Sequence, residues 1–543
     1  MKKLMLLSIV IWSVSGCIYQ TEPADLVIHN ANIYTNDVSS PKVQAVAIKD
    51  GKILELGAER DILNKYKATK AIDAKGMFVY PGWVDAHCHF LGLGQTLQLV
   101  NLQGVSSLSD FIKTIQLFHK NNPDSWVNGR GWDESLWDDK TIPSISLLDS
   151  LFPETPVFLQ RVDGHSAVIN TVVAKLANIN AKTSIQGGLI EYKDGKFTGR
   201  LVDQAMTLID VLLPKTNNNM NSKALISAER VCFENGLTTI TDAGLNLEDI
   251  LLIDSLQKAG VLKMPMNVMA SDNDINKDYF FKNGGIETDR LQMNSFKFYA
   301  DGSLGSRSAR LKKHYHDHAT SGMMMNSKEY FLKQAKKMLE HDFQMNTHCI
   351  GDSAIGMMLS VYGEVLQTTN DKRWRIEHAQ VLDDVDIGKF RTYSIIPSVQ
   401  PTHALSDRRW AKDRLGDKRI NGAYAYKDLL ATNGVLAFGT DFPVETVSPL
   451  RTFFAAVFRK EPGELGEGWR TDQALSRKEA LNAMTIGAAI ANHQEHLYGS
   501  ITVGKLANFT ILNTDLLKDT EERLATTKVL RTIVMGEEVY KEF

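Results

Sequence analysis

VDAHCHF, residues 84–90, sets two histidines either side of a cysteine at the end of an apolar run. In a strand, alternate side chains point to opposite faces, so His87 and His89 share one face and Cys88 takes the other. Such a pair is either two metal ligands or two solvated imidazoles on an exposed strand. The seven residues alone support both readings, and the rest of the chain decides between them.

Working outward, the stretch belongs to a repeating pattern. Short apolar or β-branched runs alternate with helical stretches: FVYPGWVDAHCHF, LTTITDAG, KMPMNVMAS, SFKFYADG, FQMNTHCIGD, RWRIEHAQ, SIIPSVQPTH and GVLAFGTDFP. Between the fourth and fifth, residues 328–342 place Phe331, Ala335, Met338 and Leu339 at helical spacing. Strand–helix alternation implies parallel strands, and eight units imply an α/β fold, a (β/α)8 barrel of TIM type. The barrel is expected over 81–90 and 223–489. Residues 91–222 are far too long for one crossover and read as an inserted domain. The first βα loop opens on the barrel's C-terminal face, so the insert is expected to cover the active site.

The two ends of the chain share another character. DLVIHNANIYTND and QAVAIKDGKILELG alternate as strands, with a hairpin signal at Asp50-Gly51. YGSITVGKLANFTILN and KVLRTIVMGEEVY match them at the far end. One small β-sandwich domain built from 25–80 and 490–543 is the expectation. Before it, MKKLMLLSIVIWSVSGC reads as a signal peptide over 1–17, with an apolar core too short to span a bilayer. Its final VSGC resembles a bacterial lipobox, which predicts lipidation of Cys17, export to the cell envelope and a membrane anchor without a spanning helix. Cys88, Cys232 and Cys349 are scattered and read as buried apolar residues, not a disulfide framework. With 61 basic and 64 acidic side chains in 543 residues, the net charge of −3 gives no electrostatic footprint for nucleic acid.

The ends of the predicted strands collect the reactive side chains. His87 and His89 close the first, Lys297 lies in the fourth, His348 in the fifth, His378 in the sixth and Asp441 in the eighth. Barrel enzymes keep their chemistry on that face. Imidazole and carboxylate together suit zinc, with iron or manganese as alternatives. A zinc-bound water ionises near neutral pH and supplies a hydroxide nucleophile. Lys297 is a ligand only if deprotonated or converted to a carbamate by CO2; otherwise it is a salt-bridging or substrate-orienting cation.

At these residues the chain resembles the metal-dependent amidohydrolase superfamily, in its N-substituted formamide deformylase branch (amidohydrolase family 3). PGWVDAHCHF, SFKFYADGSLGSRSA, NTHCIGD, RIEHAQ, SVQPTH and GTDFPV carry the likeness, with WVNGRGWDESLW and RVDGHS in the insert. The closing block YGSITVGKLANFTIL departs at Asn508, where the family usually has aspartate. The resemblance implies that His87 and His89 hold one metal with Asp441, and that His348 and His378 hold a second. Lys297, if carbamylated, would bridge the two, and Asp441 would relay a proton as general acid and base. One or two divalent ions remain open. The implied activity is hydrolysis of non-peptide carbon–nitrogen bonds in a small amide or N-substituted formamide. Deamination, cyclic amide or ester hydrolysis, and a silent ligand-binding lipoprotein are the alternatives. His165, Arg307 and His403 are candidate substrate contacts, with Arg161 and Asp301 behind them. Trp126, Trp132 and Trp137 read as core of the insert. The oligomeric state is open, a homodimer included.

Overall fold

A computed structural model describes residues 21–123, 125–138, 140–161, 166–185, 188–213 and 217–542. Cys17, with the rest of the stretch read above as a signal peptide, and His165 lie outside the described residues.

Eight parallel strands run side by side around the centre: β1 (Trp83–Cys88), β2 (Leu237–Leu245), β3 (Met266–Ser271), β4 (Leu291–Tyr299), β5 (Gln344–Cys349), β6 (Arg375–His378), β7 (Ile396–Val399) and β8 (Ala437–Phe438). They are the eight runs of the sequence pattern. Strands covered on both faces need near-continuous burial, and in β2 eight of its nine residues, LTTITDAGL, are buried. β8 is only two residues long, so closure against β1 is completed by the loop after it. Asp441 N donates to His87 O at 2.8 Å, and His89 N to Phe442 O at 2.8 Å. The barrel is nearly closed, and its last hydrogen bonds are made by the residues proposed to do chemistry.

FVYPGWVDAHCHF divides in two. Phe78–Pro81 belongs to an outer sheet, and Trp83–Cys88 to the barrel. Gly82 makes the passage possible: a Cβ there would lie 2.2 Å from Thr238 Oγ1. The outer sheet also takes Asn32–Tyr34 and Lys42–Val43 from the N-terminal side, with Phe509–Leu512, Val529–Val534 and Glu537–Lys541 from the C-terminal end. A second sheet of Glu22–His29, Ala45–Lys49, Lys52–Gly57 and Tyr66–Asp73 shares its core, including Ile28, Ile48, Phe509 and Ile533. The hairpin read at Asp50-Gly51 forms, with φ 50° and 72° and Lys49 opposite Lys52. Asn508 accepts from Met535 N at 2.7 Å through Oδ1, while its buried Nδ2 has no hydrogen-bond partner. An aspartate would make the first contact and leave no such donor.

Residues 100–203 build a six-stranded sheet of their own, with α-helices Leu108–Asn121 and Ile145–Leu151. Trp132 and Trp137 are buried in its core and donate to Leu159 O and Val105 O, each at 2.9 Å. Trp126 is partly buried against a neighbouring cluster. The helix read at 328–342 spans Lys328–Glu340 and buries Phe331, Ala335 and Met338. The three cysteines are buried and free. Among the described residues no helix is long and apolar enough to cross a membrane.

Candidate metal centre

His87, His378 and Asp441 converge at the C-terminal end of the barrel. One ligand atom from each lies within 4.8 Å of the others, and all three residues are buried. His87 arrives on β1, while His378 ends β6 with φ 72° and Asp441 follows β8 with φ 62°. Those left-handed conformations turn the last side chains inward where a regular strand would alternate them outward. His89 stands beside the group, its Nε2 3.2 Å from Asp441 Oδ1. His348 packs its ring 4.5 Å from that of His378. Lys297 Nζ lies 3.3 Å from His87 Nε2. His403 stacks on His378 at 6.0 Å and brings Nε2 to 3.5 Å from Asp441 Oδ2.

The imidazoles are oriented from behind. His87 Nδ1 donates to Glu377 Oε2 at 2.6 Å, and Arg375 Nε grips the other oxygen of Glu377 at 2.7 Å. His378 Nδ1 donates to Gln400 Oε1 at 2.8 Å. Each ring therefore spends its proton on Nδ1 and leaves the Nε2 lone pair for the cluster. Asp85 binds both halves of the site, accepting from His87 N at 3.1 Å and Thr440 Oγ1 at 2.7 Å. Asp301 accepts from the backbone of Ile350, Gly351 and Arg310 at 2.8–3.0 Å, which fixes the loop after His348.

Electrostatics keep the donors ready. Burial, with the charge of Lys297 beside them, lowers His87 to about 4 and His348 to about 3. His378 falls well below the usual histidine value through burial and its two imidazole neighbours. Burial alone would raise Asp441, but the hydrogen bond from His89, ahead of the other neighbouring histidines, holds its carboxyl well below the usual range. Glu377 would likewise rise on burial, yet Arg375 and His87 bring it down to about 2. Burial lowers Lys297. The neutral imidazoles of His87, His348 and His378 thus face an ionised Asp441 carboxylate. Asp441 Oδ1 is buried between the Nε2 atoms of His89 and His87, at 3.2 and 3.6 Å, a point where a cation would meet the carboxylate and the imidazole lone pair together. The donor set fits a divalent ion.

A cavity of about 390 Å³ opens beside the cluster, bordered by Lys297, His348, His403 and Asp441. Tyr299, Leu304, Ile350, Trp410 and Val444 also line it. Arg307 points its guanidinium at Asp317, with bonds of 3.0 and 2.8 Å. Arg161 pairs with Asp133 and Glu134 at 2.8 Å each.

The Amidohydrolase family profile matches residues 70–540. The chain belongs to the amidohydrolase family. Protein LONG AFTER FAR-RED 3 of Arabidopsis thaliana is 30% identical to it, over 95% of this chain and 92% of the relative. N-substituted formamide deformylase of Arthrobacter pascens is 25% identical, over 95% and 98%. An uncharacterized metal-dependent hydrolase from Pyrococcus furiosus superposes with a TM-score of 0.74 at 26% identity, covering 91% of this chain and 100% of that one.

Sequence reasoning about this amidohydrolase missed Glu377, Gln400 and Asp85. Asp85 was readable, since it precedes His87 by two residues and shares its strand face. Glu377 was not: as the neighbour of His378 it belongs on the opposite face of a regular strand. In the amidohydrolase barrel the left-handed turn at His378 and Ala379, φ 72° and 42°, brings both inward.

Proposed function

We propose that this amidohydrolase hydrolyses non-peptide carbon–nitrogen bonds, with N-substituted amides or formamides as substrates and one or two divalent ions, zinc first, as cofactor. The observation that carries the reading is the meeting of two imidazole lone pairs and a carboxylate oxygen at one buried point. His87, His378 and Asp441 would hold an ion there, while His89, His348 and Lys297, the last as a carbamate, are the groups available to a second. Such an ion supplies Lewis acidity toward a carbonyl oxygen and lowers the pKa of water to near neutrality.

The chain's own residues supply the rest. Asp441 takes the proton of the attacking water on a carboxylate oxygen and returns it to the departing nitrogen. His403, 3.5 Å from Asp441 Oδ2 and without a hydrogen-bond partner at Nε2, is placed to orient the substrate beside that oxygen. Leu304, Ile350 and Val444 give the cavity an apolar lining beside that oxygen. The insert at 91–222 would complete the cover.

The test is a hydrolysis screen of N-formyl, N-acyl and cyclic amides with zinc supplied. Turnover of an N-substituted amide is expected. Asp441→Asn should leave less than a few per cent of it, because an amide cannot take up and relay the proton. Substantial turnover by that variant would remove Asp441 from its role.

A further inference from the structure

The two central histidines are oriented by unlike partners. His87 Nδ1 meets Glu377 Oε2 at 2.6 Å, and Arg375 holds the other oxygen of that carboxylate. An ionised carboxylate only accepts, so His87 keeps its proton on Nδ1 and has one tautomer open to it. His378 Nδ1 meets an amide instead, Gln400 Oε1, at 2.8 Å. An amide carries an acceptor and a donor of nearly equal shape, and turning it over exchanges them.

The backbone of Gln400 is well held. Its carbonyl accepts from Tyr426 OH and from His403 N, each at 3.1 Å, and the residue is 2% exposed. The amide end is not held: Nε2 is buried and has no hydrogen-bond partner. Turning the amide over moves no backbone atom. It leaves one buried polar atom unpaired before and after, Nε2 in one position and Oε1 in the other, so neither position is penalised over the other on that account. The far side of the ring breaks the tie. A ligand atom of His378 lies within 4.8 Å of one on Asp441. An N–H on Nε2 faces that carboxylate favourably when nothing stands between them, whereas a cation there needs the bare lone pair.

We propose that Gln400 is a two-position switch on His378. With Oε1 toward the ring, the proton sits on Nδ1 and Nε2 is open to an ion. With the amide nitrogen toward the ring, the proton on Nδ1 is given up to solvent in the cavity that His378 borders, and one is taken from it at Nε2. The ring stays neutral but is closed to metal. The amide turns one way in the metal-free protein and the other when an ion is bound, while His87 keeps a single tautomer. Gln400 acts through His378 and is a positioning residue. The inference rests on the metal-centre reading above and adds that ion affinity is scaled by the fraction of protein in the open position. Neutron diffraction from wild-type crystals, zinc-free and zinc-loaded, locates the hydrogens directly. The zinc-free protein should carry deuterium on His378 Nε2, in full or in part, with the Gln400 nitrogen toward Nδ1. The zinc-loaded protein should carry it on Nδ1 alone, and His87 should carry it on Nδ1 in both. Gln400→Glu, an acceptor whichever way it turns, should bind zinc about 3- to 10-fold more tightly in competition with a chromophoric chelator. Deuterium on His378 Nδ1 alone in zinc-free crystals, or unchanged or weaker zinc binding by Gln400→Glu, would overturn the inference while the metal-centre reading stood. If zinc does not enter between His87, His378 and Asp441, the metal-centre reading fails, and the zinc-free crystals still decide the switch: deuterium on Nε2 supports it and on Nδ1 alone overturns it. Should the variant fail to fold, the wild-type crystals decide in the same way.

Discussion

Glu377 and His378 are adjacent in sequence, yet both face the barrel axis, and the pair shows how much of the site lies in backbone conformation. Glu377 fixes the His87 tautomer through a 2.6 Å bond and is itself held by Arg375. Glu377→Gln keeps the shape but replaces a charge-assisted acceptor with an amide that can equally present its NH2 to His87. We expect zinc affinity to fall about 10- to 100-fold, measured by competition with a chromophoric chelator. Unchanged affinity would show that His87 needs no such orienting partner. The ligand candidates themselves were legible, because histidines and a carboxylate at the ends of successive apolar runs are conspicuous. Their orienting residues were not. Gln400 and Glu377 are ordinary polar residues in the sequence and acquire meaning only when strands distant in the chain come together.

At the scale of elements, the pattern of apolar runs located every barrel strand because those strands are buried on both faces and tolerate little else. The strand boundaries were harder to read. FVYPGWVDAHCHF looked like one strand, and the break at Gly82 reflects a contact with Thr238, more than 150 residues away in the chain. The insert's sheet was not read strand by strand, since its pairings mix parallel and antiparallel neighbours. Closure depends on Gly439, where a Cβ would lie 2.6 Å from both the backbone N and O of His87. Gly439→Ala forces β8 away from β1 and should cost about 1–3 kcal/mol, the range for overpacking a filled interior, read from the denaturant midpoint. The same shift breaks the Asp441–His87 backbone bond, so activity should fall further than stability alone explains. A variant with wild-type midpoint and rate would show that the seam is loose.

For the whole molecule, the two ends of the chain act as one clamp beneath the barrel. Tyr34 OH donates to Asp515 at 2.6 Å, and Thr532 and Thr510 donate to Phe233 O at 2.7 Å and Gly236 O at 2.8 Å, at the start of β2. Deleting residues 509–543 removes three strands of the outer sheet and uncovers Trp83, Phe233 and Leu237. The truncated chain should be insoluble or protease-sensitive throughout, not merely at its new end. A soluble, cooperatively melting product would mean that the barrel folds independently of the clamp. The sequence hinted at this arrangement through the similar β character of both ends, but the hydrogen bonds that fasten it to the barrel depend on contacts between residues hundreds of positions apart.

The central claim is that His87, His378 and Asp441 meet around one cation, and a crystal structure of the zinc-loaded protein with anomalous data at the zinc edge tests it most directly. The account predicts a peak at about 2.0–2.2 Å from His87 Nε2, His378 Nε2 and an Asp441 carboxylate oxygen. A zinc-saturated crystal with no peak there, or with zinc bound only elsewhere on the chain, would contradict it.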